Sequence, residues 1–180
     1  MSEVETKKPR GRETAGDMVR SLGLVLVGVL AIWFLAQPPD SDEQRIRVVD
    51  PAPAYSAFAA DVPQVPVPGF LPAQWRPTSA SVTSSPTALR VGYVTPSEQY
   101  AEYSASTGPR EDFVEEFTGS DARRLDEVQV AGGTWEQYED EDGSLSLVRS
   151  YGSATVVLGS KRASASLAEL RTLAESLATR

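Results

Sequence analysis

Four carboxylates fall within six positions, at Glu111, Asp112, Glu115 and Glu116. Facing carboxylates can hold a cation, or share acid and base work across a glycosidic bond when about 5–10 Å apart. Helical spacing, however, places these four opposite Phe113 and Phe117. Charge opposite an apolar stripe is the ordinary solvated face of an amphipathic helix. A second acidic run, Asp140-Glu-Asp142-Gly143, is similar to a calcium loop. With Gly143 in the sixth place, such a loop needs an acid first and a glutamate twelfth. Tyr138 and Arg149 stand there, so a hairpin turn is the better reading.

The chain contains no histidine and no cysteine. That removes Ser-His-Asp and Cys-His catalysis and the usual zinc sites. Ser84, Ser85, Ser153 and Ser160 could act only with a lysine base, and Lys161 is the sole lysine after residue 8. Ser160 and Lys161 are adjacent in a loop, the wrong geometry for a dyad. The expectation is a non-enzyme with no catalytic, metal or cofactor-binding residues. A carboxylate-dependent hydrolase of cell-wall glycan is the alternative, and it needs two acids facing across a cleft.

Aromatic and arginine side chains form the remaining candidate set: Trp75, Arg90, Tyr93, Tyr100, Trp135, Tyr138 and Arg149. Together they could line a groove for a glycan or peptide, with arginines contacting anions. Against this stands the preference of strands for aromatics, which would use the same rings for packing.

The segment that must position this set begins with a span. Ser21 to Ala36 is apolar and uncharged and ends at Gln37-Pro38-Pro39. Thr14 is a good N-cap with Asp17 three residues on, and the prolines stop the helix. Residues 15–36 are expected to be a transmembrane helix that meets the lipid bilayer through residues 18–36, with Arg20 snorkelling. Lys7, Lys8, Arg10, Arg12 and Arg20 precede it, whereas only Arg45 and Arg47 follow closely, so the N-terminus stays cytoplasmic. A cleaved signal peptide is the competing reading, and Phe34 stands where a peptidase needs a small residue.

Four regions follow: a basic cytoplasmic tail (1–14), the transmembrane helix (15–36), a proline-rich extracytoplasmic linker (37–70) and a domain (71–180). Within the linker, Tyr55 to Ala60 could make a short helical turn. Residues 62–70 read as spacer or, alternatively, as an edge strand lying on the domain. Residues 1–36 hold five basic and four acidic side chains, so the remaining 12 basic and 21 acidic give the rest a net charge of −9. That argues against nucleic acid as a partner.

In the domain, 79–84, 88–95 and 99–106 read as strands, with Leu89, Val91, Tyr93 and Thr95 on one face. Gly108-Pro109 starts a helix that Gly119 closes, with Phe113, Val114 and Phe117 inward. Residues 127–130 and 134–138 form a hairpin about Gly132-Gly133. Strands at 145–151 and 154–158 follow. Ser166-Leu-Ala-Glu169 is a capping box opening a last helix, with Leu167, Leu170, Ala174 and Leu177 along one side. The fold class is α+β: an antiparallel sheet of about six or seven strands with about two helices packed on one face.

Asp17-Met-Val-Arg-Ser-Leu22, Leu71-Pro-Ala-Gln-Trp75-Arg-Pro-Thr78, Leu89-Arg-Val-Gly-Tyr-Val-Thr95 with Tyr100-Ala101, and Gly133-Thr-Trp135-Glu-Gln-Tyr138 carry a resemblance. With the leucine-rich final helix, the chain resembles the actinobacterial single-pass membrane proteins of domain-of-unknown-function family 4245 over most of residues 15–178. The resemblance implies location and architecture and no catalytic residues. The functional expectation is a membrane-anchored, extracytoplasmic binding module whose partner is another envelope protein or a glycan.

Overall fold

A computed structural model describes residues 15–36, 47–159 and 165–178. The chain divides into two compact units, Met1–Arg45 and Ile46–Arg180. The first contains α1 (Ala15–Ala36), a 22-residue helix with the bounds expected from its caps. Its described large apolar side chains are exposed, Leu22, Leu24, Val25, Leu26 and Val27 among them. Among the described residues, no helix is long and apolar enough to cross a membrane.

The second unit holds a seven-stranded antiparallel sheet in the order β2-β3-β4-β8-β7-β6-β5. These are β2 (Arg76–Ser84), β3 (Thr87–Val94), β4 (Tyr100–Ser106), β5 (Arg123–Val130), β6 (Gly133–Glu139), β7 (Leu145–Tyr151) and β8 (Ala154–Leu158). Two meanders, one of three strands and one of four, meet where β4 pairs with β8. Period-two alternation sends Leu89, Val91 and Tyr93 of β3 and Ala101, Tyr103 and Ala105 of β4 to one face. Leu147, Trp135, Val156 and Leu158 continue that face across the sheet.

Helices cover both faces, not one. α2 (Ala52–Asp61) and α4 (Leu167–Glu175) pack into the larger core. α3 (Arg110–Thr118) lies on the opposite face, with Phe113, Val114 and Phe117 against Val148 and Val157. The expectation of a single helical face fails because β7 and β8 are apolar on both sides. Leu147 and Val148 are consecutive and both buried, as are Val156, Val157 and Leu158. A strand of that pattern needs a layer above and below it.

The domain also begins earlier than Leu71. Tyr55 and Phe58 on α2, then Val62, Val65 and Val67, all enter the core. Tyr55, Phe58 and Val62 fall at i, i+3 and i+7, one helical stripe. β1 (Val67–Pro68) pairs with β9 (Leu177–Ala178), and the Gly69 N–H donates to the Ser176 carbonyl at 2.8 Å. Much of the expected linker is therefore folded structure, and the alternative for residues 62–70 is the one that holds. The rest, residues 37–46, lies outside the described residues.

Two local expectations shift by a residue or two. The hairpin turn is Ala131-Gly132, at φ 50° and 72°, not Gly132-Gly133. Gly133 instead pairs with Val130 inside the ladder. The last helix stops at Glu175, which frees Leu177 for β9.

The capping box of α4 forms as expected. The Glu169 N–H donates to the Ser166 hydroxyl, and the Ser166 N–H returns to the Glu169 carboxylate at 2.9 Å. Partial burial pushes this carboxyl up. The Ser166 hydrogen bonds, together with the nearby Thr95 and Ser97 hydroxyls, outweigh that and lower it from 4.5 to about 2. A depressed carboxylate stabilises the fold above its unfolded value and loses that contribution as pH falls from 4.5 toward 2. After discounting for solvent screening, Glu169→Ala should cost about 1 kcal/mol at neutral pH. Thermal melts should show the gap between variant and parent closing by pH 2 to 3.

Candidate functional site

The seven aromatic and arginine candidates do not line one groove. Trp75, Tyr93 and Trp135 are buried in the larger core. Trp75 meets Tyr93 edge to face, with ring centroids 5.9 Å apart. Trp135 meets Tyr151 in the same way at 6.5 Å, and the Arg149 guanidinium lies over both rings, 5.9 and 4.9 Å from their centroids. A Cβ at Gly133 would strike that guanidinium, so the glycine leaves the room in which Arg149 lies. These four candidates are packing residues on the α2/α4 face.

Arg90, Tyr100 and Tyr138 lie on the other face. Tyr100 crosses above Gly92, where a Cβ would come within 2.5 Å of its hydroxyl. Its hydroxyl donates to Glu102 Oε2 at 3.0 Å, and Ser104 donates to Oε1 at 2.8 Å. Tyr138 donates to Glu136 Oε2 at 3.0 Å. Burial, and then this carboxylate partner, raise the Tyr138 phenol.

α3 is fixed to this face by charge as well as by packing. Arg110 at its N-terminal end bonds Glu136 on β6 at 2.7 Å and Ser150 on β7 at 3.1 Å. Arg124 approaches the same glutamate at 3.7 Å. Toward the other end, Glu116 pairs with Arg90 of β3 at 2.5 Å, and that guanidinium lies 4.7 Å from the Phe117 centroid. Arg110 and Glu136 were not singled out in the sequence, and Glu116 was read there only as part of a solvated acidic face. Each pair is 26 residues apart, so no local spacing betrays it.

Between α3 and the β2–β3 hairpin lies a groove of about 270 Å³, lined by Pro86, Ala88, Arg90, Pro109, Phe113 and Glu116 among others. Its lining is mostly apolar. It exists because the floor is small: Ala88 and Ser106 sit where larger residues would fill the gap. Ligand pockets for drug-sized molecules run to roughly 300–1,000 Å³, so this one suits a side chain. Its chemistry is an apolar wall with the Arg90–Glu116 ion pair and the Asp112 carboxylate along it.

The acidic candidates settle as structure. All four on α3 are exposed: Glu111 and Glu115 lie opposite buried Phe113 and Phe117, and Asp112 and Glu116 flank the groove beside Phe113. Asp140 Oδ1 accepts the N–H groups of Asp142 and Ser144 at 3.0 and 2.7 Å, and Gly143 takes φ 81°, as a hairpin turn requires. Among the described residues, no three His, Cys, Asp or Glu could hold a metal ion together.

A family model described as "Protein of unknown function (DUF4245)" matches residues 10–177. No curated protein and no solved structure matches the chain.

Proposed function

This chain belongs to the DUF4245 family, and we propose that it is a membrane-tethered, extracytoplasmic binding module of the cell envelope. α1 is the tether. Its described side chains are exposed over every turn from Met18 to Trp33, and a helix that is apolar all round belongs in a protein core or a bilayer. Counted over its full 22 residues, it would reach about 33 Å at ~1.5 Å per residue, against about 30 Å of hydrocarbon. Five basic residues precede Ser21 and two follow by Arg47, which favours a cytoplasmic N-terminus.

The binding surface in this reading is the groove beside α3, and its ligand is an apolar side chain of another envelope protein. The groove is mostly apolar, and its one arginine, Arg90, is already paired with Glu116, so it suits an apolar anchor residue. No nucleic acid is expected, given the acidic balance of the domain.

Exposed apolar side chains around all sides of α1 carry the tether. A reporter active only outside the cytoplasm, fused after Arg180, should be active. The chain should stay with membranes through a high-salt wash and leave them in detergent. An inactive fusion, or release by salt alone, overturns the reading.

A further inference from the structure

The two edges of the sheet are built differently. β5, at one edge, carries Arg123, Arg124, Asp126 and Glu127 and has a register irregularity between Arg124 and Glu127. Charge and irregularity on an edge strand discourage pairing with another chain. β2, at the other edge, has no charged residue from Pro77 to Ser84 and pairs with β3 without interruption from Ser79 to Ser84. Its N-terminal end is covered, because the Val49 N–H donates to the Pro77 carbonyl at 2.9 Å. From Ser79 to Ser84, no strand among the described residues pairs with its outer side.

Which backbone groups face outward follows from the hydrogen bonds. Gly92 points both its N–H and its carbonyl toward β2, at Ser79 Oγ and from Thr78 Oγ1. Thr87, by contrast, points its carbonyl toward Thr107, beyond β4. Even-numbered residues of β3 therefore face β2. Their partners there are Ser79, Ser81 and Thr83. Strand alternation then leaves the N–H and C=O groups of Ala80, Val82 and Ser84 directed outward.

We infer that β2 pairs antiparallel with β2 of a second copy of this chain, in a register centred on Val82. Of the registers the outward groups permit, this one pairs Val82 with Val82 and Ala80 with Ser84 twice, giving about six backbone hydrogen bonds. It is self-complementary, as a two-fold interface must be. It covers Val82, a large apolar side chain left 36% exposed on a strand whose neighbours are small. It also sets no charge against a like charge, although the chain is acidic, because both partners present the same uncharged segment. The contact is small, so the dimer is weak in dilute solution and favoured where copies are concentrated, as on a membrane. It does not depend on the tether.

The natural absence of cysteine makes the test clean. A hydrogen-bonded antiparallel pair places its Cα atoms about 5.5 Å apart, within the disulfide range of about 4.4–6.8 Å. Full-length Val82→Cys, mildly oxidised in detergent, should give about tenfold more covalent dimer than Gln129→Cys on the opposite edge. The unmodified chain should show a concentration-dependent dimer by light scattering, which Val82→Lys abolishes without lowering the melting temperature. Equal crosslinking at both edges, or a single protomer at every concentration, overturns the dimer. More dimer through Ser81→Cys than through Val82→Cys overturns the register.

Discussion

Replacing Phe58 by alanine will destabilise the domain by about 3–5 kcal/mol, the cost of an aromatic cavity in a packed core. Phe58 is 0% exposed and sits among Tyr55, Val62 and the β3 side chains. In a unit of this size the loss corresponds to about 10–20 °C in melting temperature. Phe70, twelve residues on, supplies the control: it is 91% exposed, and Phe70→Ala should stay within about 0.5 kcal/mol. A chain beginning at Leu71 removes Tyr55, Phe58, Val62, Val65 and Val67 together. At about 1.5–3 kcal/mol for each buried side chain, that approaches the whole stability of a domain, about 5–15 kcal/mol. Such a chain should show no cooperative melt. Equal stability of the Phe58 and Phe70 variants would return residues 47–70 to the role of a spacer.

The second large effect is alkaline. Tyr55 and Tyr93 share a hydroxyl–hydroxyl hydrogen bond, and Tyr103 donates to the Pro66 carbonyl at 2.8 Å. All three rings are buried. Burial pushes the Tyr55 phenol up to about 12, only partly offset by its bond to Tyr93. Burial first, and then the neighbouring phenols, raise Tyr93 and Tyr103 as well. A raised phenol contributes its stability in full below the unfolded value of 10 and loses it as pH climbs toward the folded value. Stability should therefore hold to about pH 10 and then fall by about 1.4 kcal/mol per pH unit for each buried phenol. Chemical denaturation at pH 9 to 12 measures the slope. Tyrosinate absorbance should show the deep phenols ionising only as the domain unfolds. Tyr55→Phe should reduce the slope and cost about 1–2 kcal/mol at neutral pH, because it leaves the Tyr93 hydroxyl short of a partner. A native-state titration in which all six tyrosines ionise near pH 10 would overturn this account.

Where local pattern carries the information, the sequence was legible. The alternation of Leu89, Val91 and Tyr93 marked β3, and the Ser166/Glu169 box marked the start of α4. Both depend only on neighbours within a few residues, so they survive without tertiary knowledge. The segment from Ala52 to Pro68 was read as spacer because prolines at 51, 53, 63, 66 and 68 suggest extended chain. Pro51 and Pro53 instead stand at the start of α2, where a missing N–H costs nothing, and the stretch holding Pro66 lies against Tyr103. The candidate site fared worse. Exposure was the deciding quantity for Trp75, Tyr93 and Trp135, and composition says nothing about which face of a sheet receives a second layer.

By itself the sequence determined the sheet strands in order, three of the helices and the α+β class, since each is written in short-range periodicity, caps and turn residues. Only the tertiary structure decided that α3 covers the face opposite α2 and α4. It alone brought Arg90 to Glu116 and Arg110 to Glu136, opened a groove over Ala88, and left β2 as the uncharged edge. These depend on which strands become neighbours. That is settled by burying two apolar faces at once, a condition on the whole chain that no short stretch can express.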